Sequence, residues 1–141
     1  MPVLLENEKK AQEISKKIIG KWGDAHWEKA EDANYKALSR RFFTFKKDGT
    51  FESSEEMVGQ TTPYMKEDWL FLSWGKYAFK GDTIHLNVTR EKCPKQVFTH
   101  LNVRTNKWEK KVSPTYDSLI TNGSKDKFLI FSDFKSNFKK I

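Results

Sequence analysis

GKYAFKGDTIHLNV, residues 75–88, reads as two strands joined by a tight turn. In the first half Tyr77 and Phe79 alternate with polar or small residues, and in the second half Ile84 begins a run in which every other residue is apolar. Successive side chains of a strand point to opposite faces, so each half presents one apolar face. Gly81 and the aspartate after it supply the turn. The stretch predicts an antiparallel β-hairpin packed against a core.

The same pattern continues on both sides of this hairpin. Arg41-Phe42-Phe43-Thr44-Phe45 runs into the turn Lys46-Lys47-Asp48-Gly49 and returns through Thr50-Phe51. Downstream, strand-like segments follow near 97–103, 108–111, 116–121 and 128–131. No helix-length segment interrupts this series, which contains about eight strands, the number at which a closed barrel holds packed side chains or one small ligand. The sequence therefore predicts an all-β, eight-stranded antiparallel up-and-down barrel.

Two stretches, 24–38 and 53–68, break the rhythm of short strands and turns. Each carries isolated aromatic residues, among them Trp27 and Tyr64. We expect both to be long loops, which either shape the entrance to a ligand site or serve as plain surface connections.

The segment before the strands has helical periodicity. Its apolar residues fall on one stripe at helical spacing: Leu4, Ala11, Ile14 and Ile18. Gly20 is a natural stop for a helix over about 4–18. Because a helix of this length is marginal alone in water, we expect it to cap one end of the barrel, with Trp22 as the plug of that end.

Length and composition set further bounds. The 141 residues predict a single domain, 1–141, with the barrel spanning about 20–134. An aromatic content of 14% suits a thin-walled β-structure and argues against disorder. Cys93 stands alone, which excludes an internal disulfide. No apolar run approaches the ~20 residues of a membrane-spanning helix, so no integral membrane segment is expected.

The formal net charge of +7 has two interpretations. A basic protein attracts nucleic acids, anionic membranes or anionic ligands. The alternative is an ordinary solvated surface rich in lysine. The lysines are interspersed with Glu and Asp from Lys9 to Lys140, which favours the second interpretation.

The motifs together resemble the bacterial lipocalin-like proteins of the calycin superfamily, over about residues 18–134. The resemblance is carried by Gly20-Lys21-Trp22, Asp48-Gly49-Thr50, Gly75-x-Tyr77 and Gly81-Asp82-x-Ile84-x-Leu86. It implies that Trp22 packs across the closed end of a barrel beneath a cation near the end of the last strand, where this chain offers Lys135 in place of arginine. It also implies binding or transport of a small, mainly hydrophobic molecule by a secreted or periplasmic protein; a chain that is not a mature exported form would be cytoplasmic.

Alternation nominates aromatic side chains for a binding cavity. The candidate ligand-binding residues are Phe43, Phe45, Trp69, Trp74, Tyr77, Phe79 and Tyr116. Trp69 and Trp74 are expected near a strand end, and the two tyrosines would supply polar groups among apolar walls. The ligand would be a small hydrophobic or amphipathic molecule, and the basic exterior suits an anionic one. The alternative is that these side chains fill a solid core.

Catalysis finds little support in the sequence. The histidines His26, His85 and His100 lack metal-ligand spacing, and Cys93 has no histidine near it in the sequence. We therefore expect no catalytic residues, no metal and no cofactor, in a protein that is a monomer or a weak dimer.

The alternative function is binding of single-stranded nucleic acid on a basic, aromatic-rich β-surface such as Lys76-Tyr77-Ala78-Phe79-Lys80. Strand alternation sends these aromatic rings and lysines to opposite faces, whereas a stacking surface needs both on one face. The sequence therefore disfavours nucleic acid as a partner.

Overall fold

The computed structural model describes residues 16–28, 35–120 and 125–141. Within them, nine strands form one antiparallel sheet. The strands are β1 Gly20–Glu28, β2 Ala37–Phe45, β3 Thr50–Thr62, β4 Met65–Lys80, β5 Thr83–Asn102, β6 Lys107–Val112, β7 Tyr116–Leu119, β8 Lys125–Ile130 and β9 Lys139–Lys140. The C-terminal helix, Phe131–Asn137, lies between β8 and β9, and residues 16–18 are helical.

The strand order is β6-β5-β4-β3-β2-β1-β9, with β7 and β8 also paired to β5. The 20-residue β5 thus has β4 along one edge and β8, β7 and β6 along the other. This order has two ends, so the sheet is not closed into a barrel. The prediction of an antiparallel β-fold is confirmed, and the prediction of an eight-stranded closed barrel is wrong. Between β8 at one edge and β9 at the other, the chain passes through the C-terminal helix.

The β2–β3 and β4–β5 hairpins turn at the positions that the sequence predicts, and the turn residues explain why. Gly49 ends the β2–β3 turn with a φ of 86°, a left-handed conformation that favours glycine. Asp48 Oδ1 accepts hydrogen bonds from the Thr50 hydroxyl at 2.6 Å and from the Thr50 N–H at 2.9 Å. These two bonds hold the pKa of the Asp48 carboxyl below its usual value. Gly81 turns the β4–β5 hairpin in the same way with a φ of 62°.

The two predicted long loops are largely strand. The prediction of a loop over 53–68 is wrong, because β3 and β4 run through it and only Pro63 and Tyr64 form the turn. In the stretch 24–38, β1 continues to Glu28 and β2 begins at Ala37, while 29–34 lies outside the described residues. Backbone hydrogen bonds between neighbouring strands hold these segments without requiring the apolar alternation that marks a buried strand.

The core lies between the C-terminal helix and the adjoining half of the sheet. Its buried members are Ile18, Trp22, Phe45, Phe51, Ile84, Leu86, Val88, Phe131, Phe134 and Phe138. The Trp22 Nε1–H donates to the Ile18 carbonyl at 2.8 Å, and its ring meets the Phe134 ring edge-on at 5.3 Å between centroids. Trp22 therefore does pack at a covered end of the sheet.

The cover itself differs from the one predicted. It is the C-terminal helix, in a region that the sequence assigns to the last part of a barrel. Of the helix predicted over 4–18, the described residues 16–18 are helical and the remainder lies outside the described part. Lys140, rather than Lys135, places its Nζ over the Trp22 ring at 5.9 Å, and Lys135 lies 5.7 Å over Phe131. In the described ranges we find no helix that is long and apolar enough to cross a membrane.

Candidate ligand cavity

Strand registers align the side chains of one face into rows. We call this the inner face, the face that carries the buried Phe45, Phe51 and Val88. Three rows run from β2 across β3 to β4, two of them continue to β5, and each row has a different chemistry. The apolar row is Phe45, Phe51, Gly75 and Val88; the hydroxyl row is Phe43, Ser53, Ser73 and Glu91; the charged row is Arg41, Glu55 and Phe71.

The apolar row forms a tight floor, and Gly75 makes this possible. A Cβ at Gly75 would lie 1.9 Å from the Asn87 carbonyl oxygen and 2.9 Å from Cε1 of Phe51. Only glycine lets the β5 backbone and the Phe51 ring approach this closely. The first polar side chains lie in the neighbouring row, above the floor.

The hydroxyl row carries small side chains at its centre. Ser53 and Ser73 are directly paired across β3 and β4, and their hydroxyls hydrogen-bond to each other. One hydroxyl donates and the other accepts, so part of the hydrogen-bonding capacity of the pair is met within the protein. Because serine is much smaller than the phenylalanines below it, space remains above the floor.

The charged row contains a guanidinium held on two sides. Arg41 Nη2 donates to Asp24 Oδ2 at 3.1 Å, and the guanidinium lies 5.0 Å over the Phe138 ring. Across the β2–β3 ladder Arg41 is paired with Glu55. The guanidinium thus lies on β2 between Asp24 of β1 and Glu55 of β3, at the edge of the core.

These rows surround a cavity of about 260 Å³ that opens to solvent. Its lining comes from six strands, β2, β3, β4, β5, β7 and β8, so the open sheet wraps around it. The lining residues are Arg41, Phe43, Phe51, Ser53, Ser54, Glu55, Phe71, Ser73, Leu86, Val88, Glu91, Tyr116, Lys127 and Leu129. The volume is slightly below the ~300–1,000 Å³ of typical drug-sized sites, which limits an occupant to a small molecule.

Two of the seven residues proposed from the sequence, Phe43 and Tyr116, line this cavity. Phe45 lies in the core beneath it, where its ring meets Tyr77 at 5.1 Å. Phe79 packs beside Tyr77 against the same core. The Tyr77 hydroxyl donates to the Lys46 carbonyl at 2.6 Å, and burial raises the pKa of this phenol.

The two tryptophans proposed for the site lie elsewhere. Both are interior to β4, so the expectation that they stand near a strand end is wrong. Trp69 packs on Phe71, with 5.1 Å between ring centroids. Trp74 points to the opposite face, the outer face, where the Arg90 guanidinium lies 4.7 Å over its ring.

Sequence reasoning missed the polar members of the cavity, notably Ser53, Glu55 and Ser73. A signal is present in the alternation of Ser53, Glu55 and Met57 on one side of a strand, but the polarity of this stretch favours a loop. Lys127 and Glu91 could not have been found, because their place depends on which strands pair with β5.

Other chemistry is sparse in the described part of the chain. There, no group of three or more His, Cys, Asp or Glu side chains could hold a metal ion. Cys93 is buried opposite Tyr116, with its thiol 3.4 Å from the Lys95 carbonyl oxygen. His85 packs edge-on against Phe128 at 4.7 Å. In the described residues, the cavity is therefore the feature with room for a ligand.

Comparison of the chain with protein-family models, with curated proteins and with solved structures finds no match. Kinship with the bacterial lipocalin-like proteins accordingly stays a prediction.

Proposed function

We propose that this protein binds a small amphipathic molecule in the inner-face cavity and acts as a carrier without catalysis. One observation supports this above all. The cavity of about 260 Å³ joins an apolar floor to a polar and charged mouth. Ligand sites typically combine apolar walls with a few placed polar groups in this way.

The way the cavity is made also supports a binding role. Protein interiors are close-packed, and space above an apolar floor forfeits contacts that larger side chains would provide. Here the space lies above two small serines whose hydroxyls hydrogen-bond to each other, on strands that also carry the buried Phe51 and the tightly enclosed Gly75. The floor is thus closely packed, while the space above it stays open.

A lipocalin-like carrier is the nearest functional description, and secretion or residence in the periplasm would suit it. These finer points rest on the motifs around Trp22 and Gly75 rather than on the cavity. The open sheet does not weaken the binding proposal, because residues of β2, β3, β4, β5, β7 and β8 already surround the cavity.

The test is to fill the cavity. 2-Phenylethanol, a neutral amphipathic probe, is titrated into the protein and its binding followed by ligand-observed NMR and calorimetry. We expect binding to the parent chain and its loss in Ser73→Leu, whose side chain would occupy the space above the floor. Thr44→Leu, on the outer face of β2, is the matched control and should bind like the parent. Absence of binding to the parent, or equal binding to both variants, would contradict the proposal.

A second candidate is single-stranded nucleic acid, favoured by one observation on the outer face. There, Lys21 lies 4.8 Å over the Phe42 ring and Arg90 lies 4.7 Å over the Trp74 ring. Rings and cations therefore do share a surface, although not at the segment Lys76 to Lys80 considered from the sequence, where Tyr77 and Phe79 pack against the core. Base stacking on such rings and phosphate contacts from such cations form a single-strand binding surface.

Fluorescence anisotropy with labelled oligo-dT and oligo-U at low salt tests this second candidate. Trp74→Ala should weaken binding, and Trp69→Ala, on the inner face, should not. Undetectable binding at low salt would remove nucleic acid as a ligand, since its electrostatic component is strongest there.

A further inference from the structure

We infer that the cavity selects a zwitterion: a small molecule with an ammonium group, a carboxylate and an apolar body, of the size of an aromatic amino acid. This inference rests on the proposed binding function and names the ligand class for the same site. It departs from the anionic ligand that the overall charge of +7 suggests.

Among the described residues, the charges that line the cavity are balanced, unlike those of the whole chain. Two of these lining side chains are cationic, Arg41 and Lys127, and two are anionic, Glu55 and Glu91. A cavity built for a simple anion would have an excess of positive charge at its mouth. Matching groups of both signs complement a ligand that carries both signs itself.

Arg41 is already committed within the protein. It donates to Asp24 at 3.1 Å and lies over the Phe138 ring at 5.0 Å, and Glu55 is its neighbour in the strand register. A guanidinium that is already paired with Asp24 is less available to recruit a ligand anion. Lys127, exposed on β8, is the cation placed to meet a ligand carboxylate.

The carboxylates stand on two different walls. Glu55 is on β3 in the charged row, and Glu91 is on β5 at the end of the hydroxyl row. Between them lie the paired hydroxyls of Ser53 and Ser73. A ligand ammonium group entering the mouth would meet negative charge from both sides and hydroxyl oxygens below.

The apolar part of the cavity lining fits the apolar part of such a ligand. Phe43, Phe51 and Phe71 supply ring surfaces, and Leu86 and Val88 complete an aliphatic wall. Ring faces also favour a nearby cation, which adds to the attraction for the ammonium group. The small volume admits one ring with its short polar end and excludes a long acyl chain or a macrocycle.

Four probes with nearly the same body separate the possibilities: L-phenylalanine, 2-phenylethylamine, 3-phenylpropionate and 2-phenylethanol. Calorimetry at neutral pH and low salt measures each. We expect L-phenylalanine to bind about tenfold more tightly than the amine or the propionate, as one additional charge-assisted hydrogen bond would give. Any of the other three probes binding as tightly as L-phenylalanine would overturn the inference.

Charge-neutral variants test the two halves of the site separately. Lys127→Gln should reduce L-phenylalanine affinity to that of the amine, and the double variant Glu55→Gln, Glu91→Gln should reduce it to that of the propionate. The matched controls carry the same changes on the outer face: Lys76→Gln, and Glu52→Gln with Glu56→Gln. Equal losses in the controls would show that only net charge matters and would overturn the inference.

Failure of the inference and failure of the proposed function give different results. If 2-phenylethanol binds the parent chain and the charged probes gain nothing over it, the cavity binds ligands but does not select zwitterions. If none of the four probes binds, both proposals fall. Unchanged 2-phenylethanol binding in the glutamine variants shows that their cavities are intact.

Discussion

Where the C-terminal helix packs, ten of the described residues form a buried core, and five of these ten are phenylalanines. Where the β3–β4 and β5–β6 turns project, no described side chain between 52 and 74 or between 94 and 112 is buried. We call these the helix-covered end and the open end of the sheet. The first is held by apolar burial, the dominant favourable contribution to folding, and the second mainly by the backbone ladder. The cavity lies where one gives way to the other.

Contacts at the open end are those of a protein surface. Lys66 lies 4.3 Å over the Trp108 ring, and Lys95 forms an ion pair with Asp68 at 2.8 Å. Exposed pairs of this kind contribute about 0–1 kcal/mol each. We therefore expect amide protons of this end to exchange through local opening, while those beside the core exchange only with global unfolding. A ligand could therefore enter from the open end while the buried core stays packed.

The largest expected effect is from truncating the centre of the helix-covered end. Phe134 is 3% exposed and meets the rings of Trp22, Phe43, Phe45 and Phe138 at 4.7 to 5.8 Å. Phe134→Ala should lower the free energy of unfolding by about 3–5 kcal/mol, through lost burial and the cavity left behind. Chemical denaturation measures it.

Phe128→Ala is the matched control for this prediction. The Phe128 side chain is 61% exposed on β8 and should cost less than about 1 kcal/mol. Similar losses for both phenylalanines would show that the helix and sheet do not share the core described above.

The next effect concerns the floor of the cavity. Gly75→Ala would place a Cβ 1.9 Å from the Asn87 carbonyl oxygen, which belongs to the backbone and cannot swing away. Overpacking of this kind should lower the free energy of unfolding by about 1–3 kcal/mol. It should also shift the β4 and β5 amide resonances in NMR spectra.

Gly49→Ala separates steric crowding from backbone strain. Gly49 has open space where a Cβ would stand but a φ of 86°, so only the left-handed conformation is penalised, by about 1–2 kcal/mol. Its resonance changes should stay within the β2–β3 turn. A Gly75→Ala variant as stable as the parent would mean that β4 and β5 are less closely apposed than described.

The fold could be predicted wherever local chemistry determines it. The turns at Asp48-Gly49 and Gly81-Asp82 and the buried position of Trp22 all follow from short motifs. The stretch 53–68 of the open end has no fully buried side chain, and its polar sequence lacks the apolar alternation by which a strand is found. Whether the sheet closes into a barrel could not be predicted either, because the number of strands does not determine whether the first and last strands pair. The C-terminal helix does leave a signal, the helical spacing of Phe131, Phe134 and Phe138, but the apolar run that leads into it also fits the end of a strand.

The site was predictable only in its aromatic part. Phe43 was found because it alternates with Phe45 in a recognisable strand. Its partners in the hydroxyl row come from β3, β4 and β5, and only the register brings them together. Two irregularities in the β4–β5 register, near Leu72 and Gly75, shift which β5 residues face the cavity. Such shifts depend on tertiary pairing and leave no trace in residue periodicity.

A smaller effect compares one indole at each end of the sheet. Trp22 donates to a backbone carbonyl in the buried core, and Trp69 donates to the Glu67 carboxylate at 3.2 Å in a partly exposed setting. Trp22→Phe removes the donor and leaves the Ile18 carbonyl without it, so the free energy of unfolding should fall by about 1–2 kcal/mol. Trp69→Phe should change it by less than about 0.5 kcal/mol, because water replaces the lost partner. Thermal and urea unfolding of both variants decide this, and a larger loss for Trp69→Phe would reverse the ranking of the two ends.

The smallest effect is a pH dependence in the short strand β7, which bears the cavity residue Tyr116. Arg90 donates twice to Asp117, at 2.9 and 2.7 Å, and these hydrogen bonds lower the pKa of the Asp117 carboxyl. A lowered pKa means that folding favours the ionised form, so the pair contributes fully above the unfolded value of about 3.9. The contribution is lost as the pH falls through the lower folded value.

Both partners are solvent-exposed, so this contribution should be small and confined to β7. NMR titration of the Asp117 carboxyl carbon should give a midpoint below that of a free aspartate, and Arg90→Gln should return it to about 3.9. The β7 amides should then exchange faster than in the parent, while the amides of β2 at the helix-covered end should not change. An Asp117 midpoint that does not respond to Arg90→Gln would show that β7 is held by its backbone bonds to β5 alone, and that the cavity wall at Tyr116 is insensitive to this ion pair.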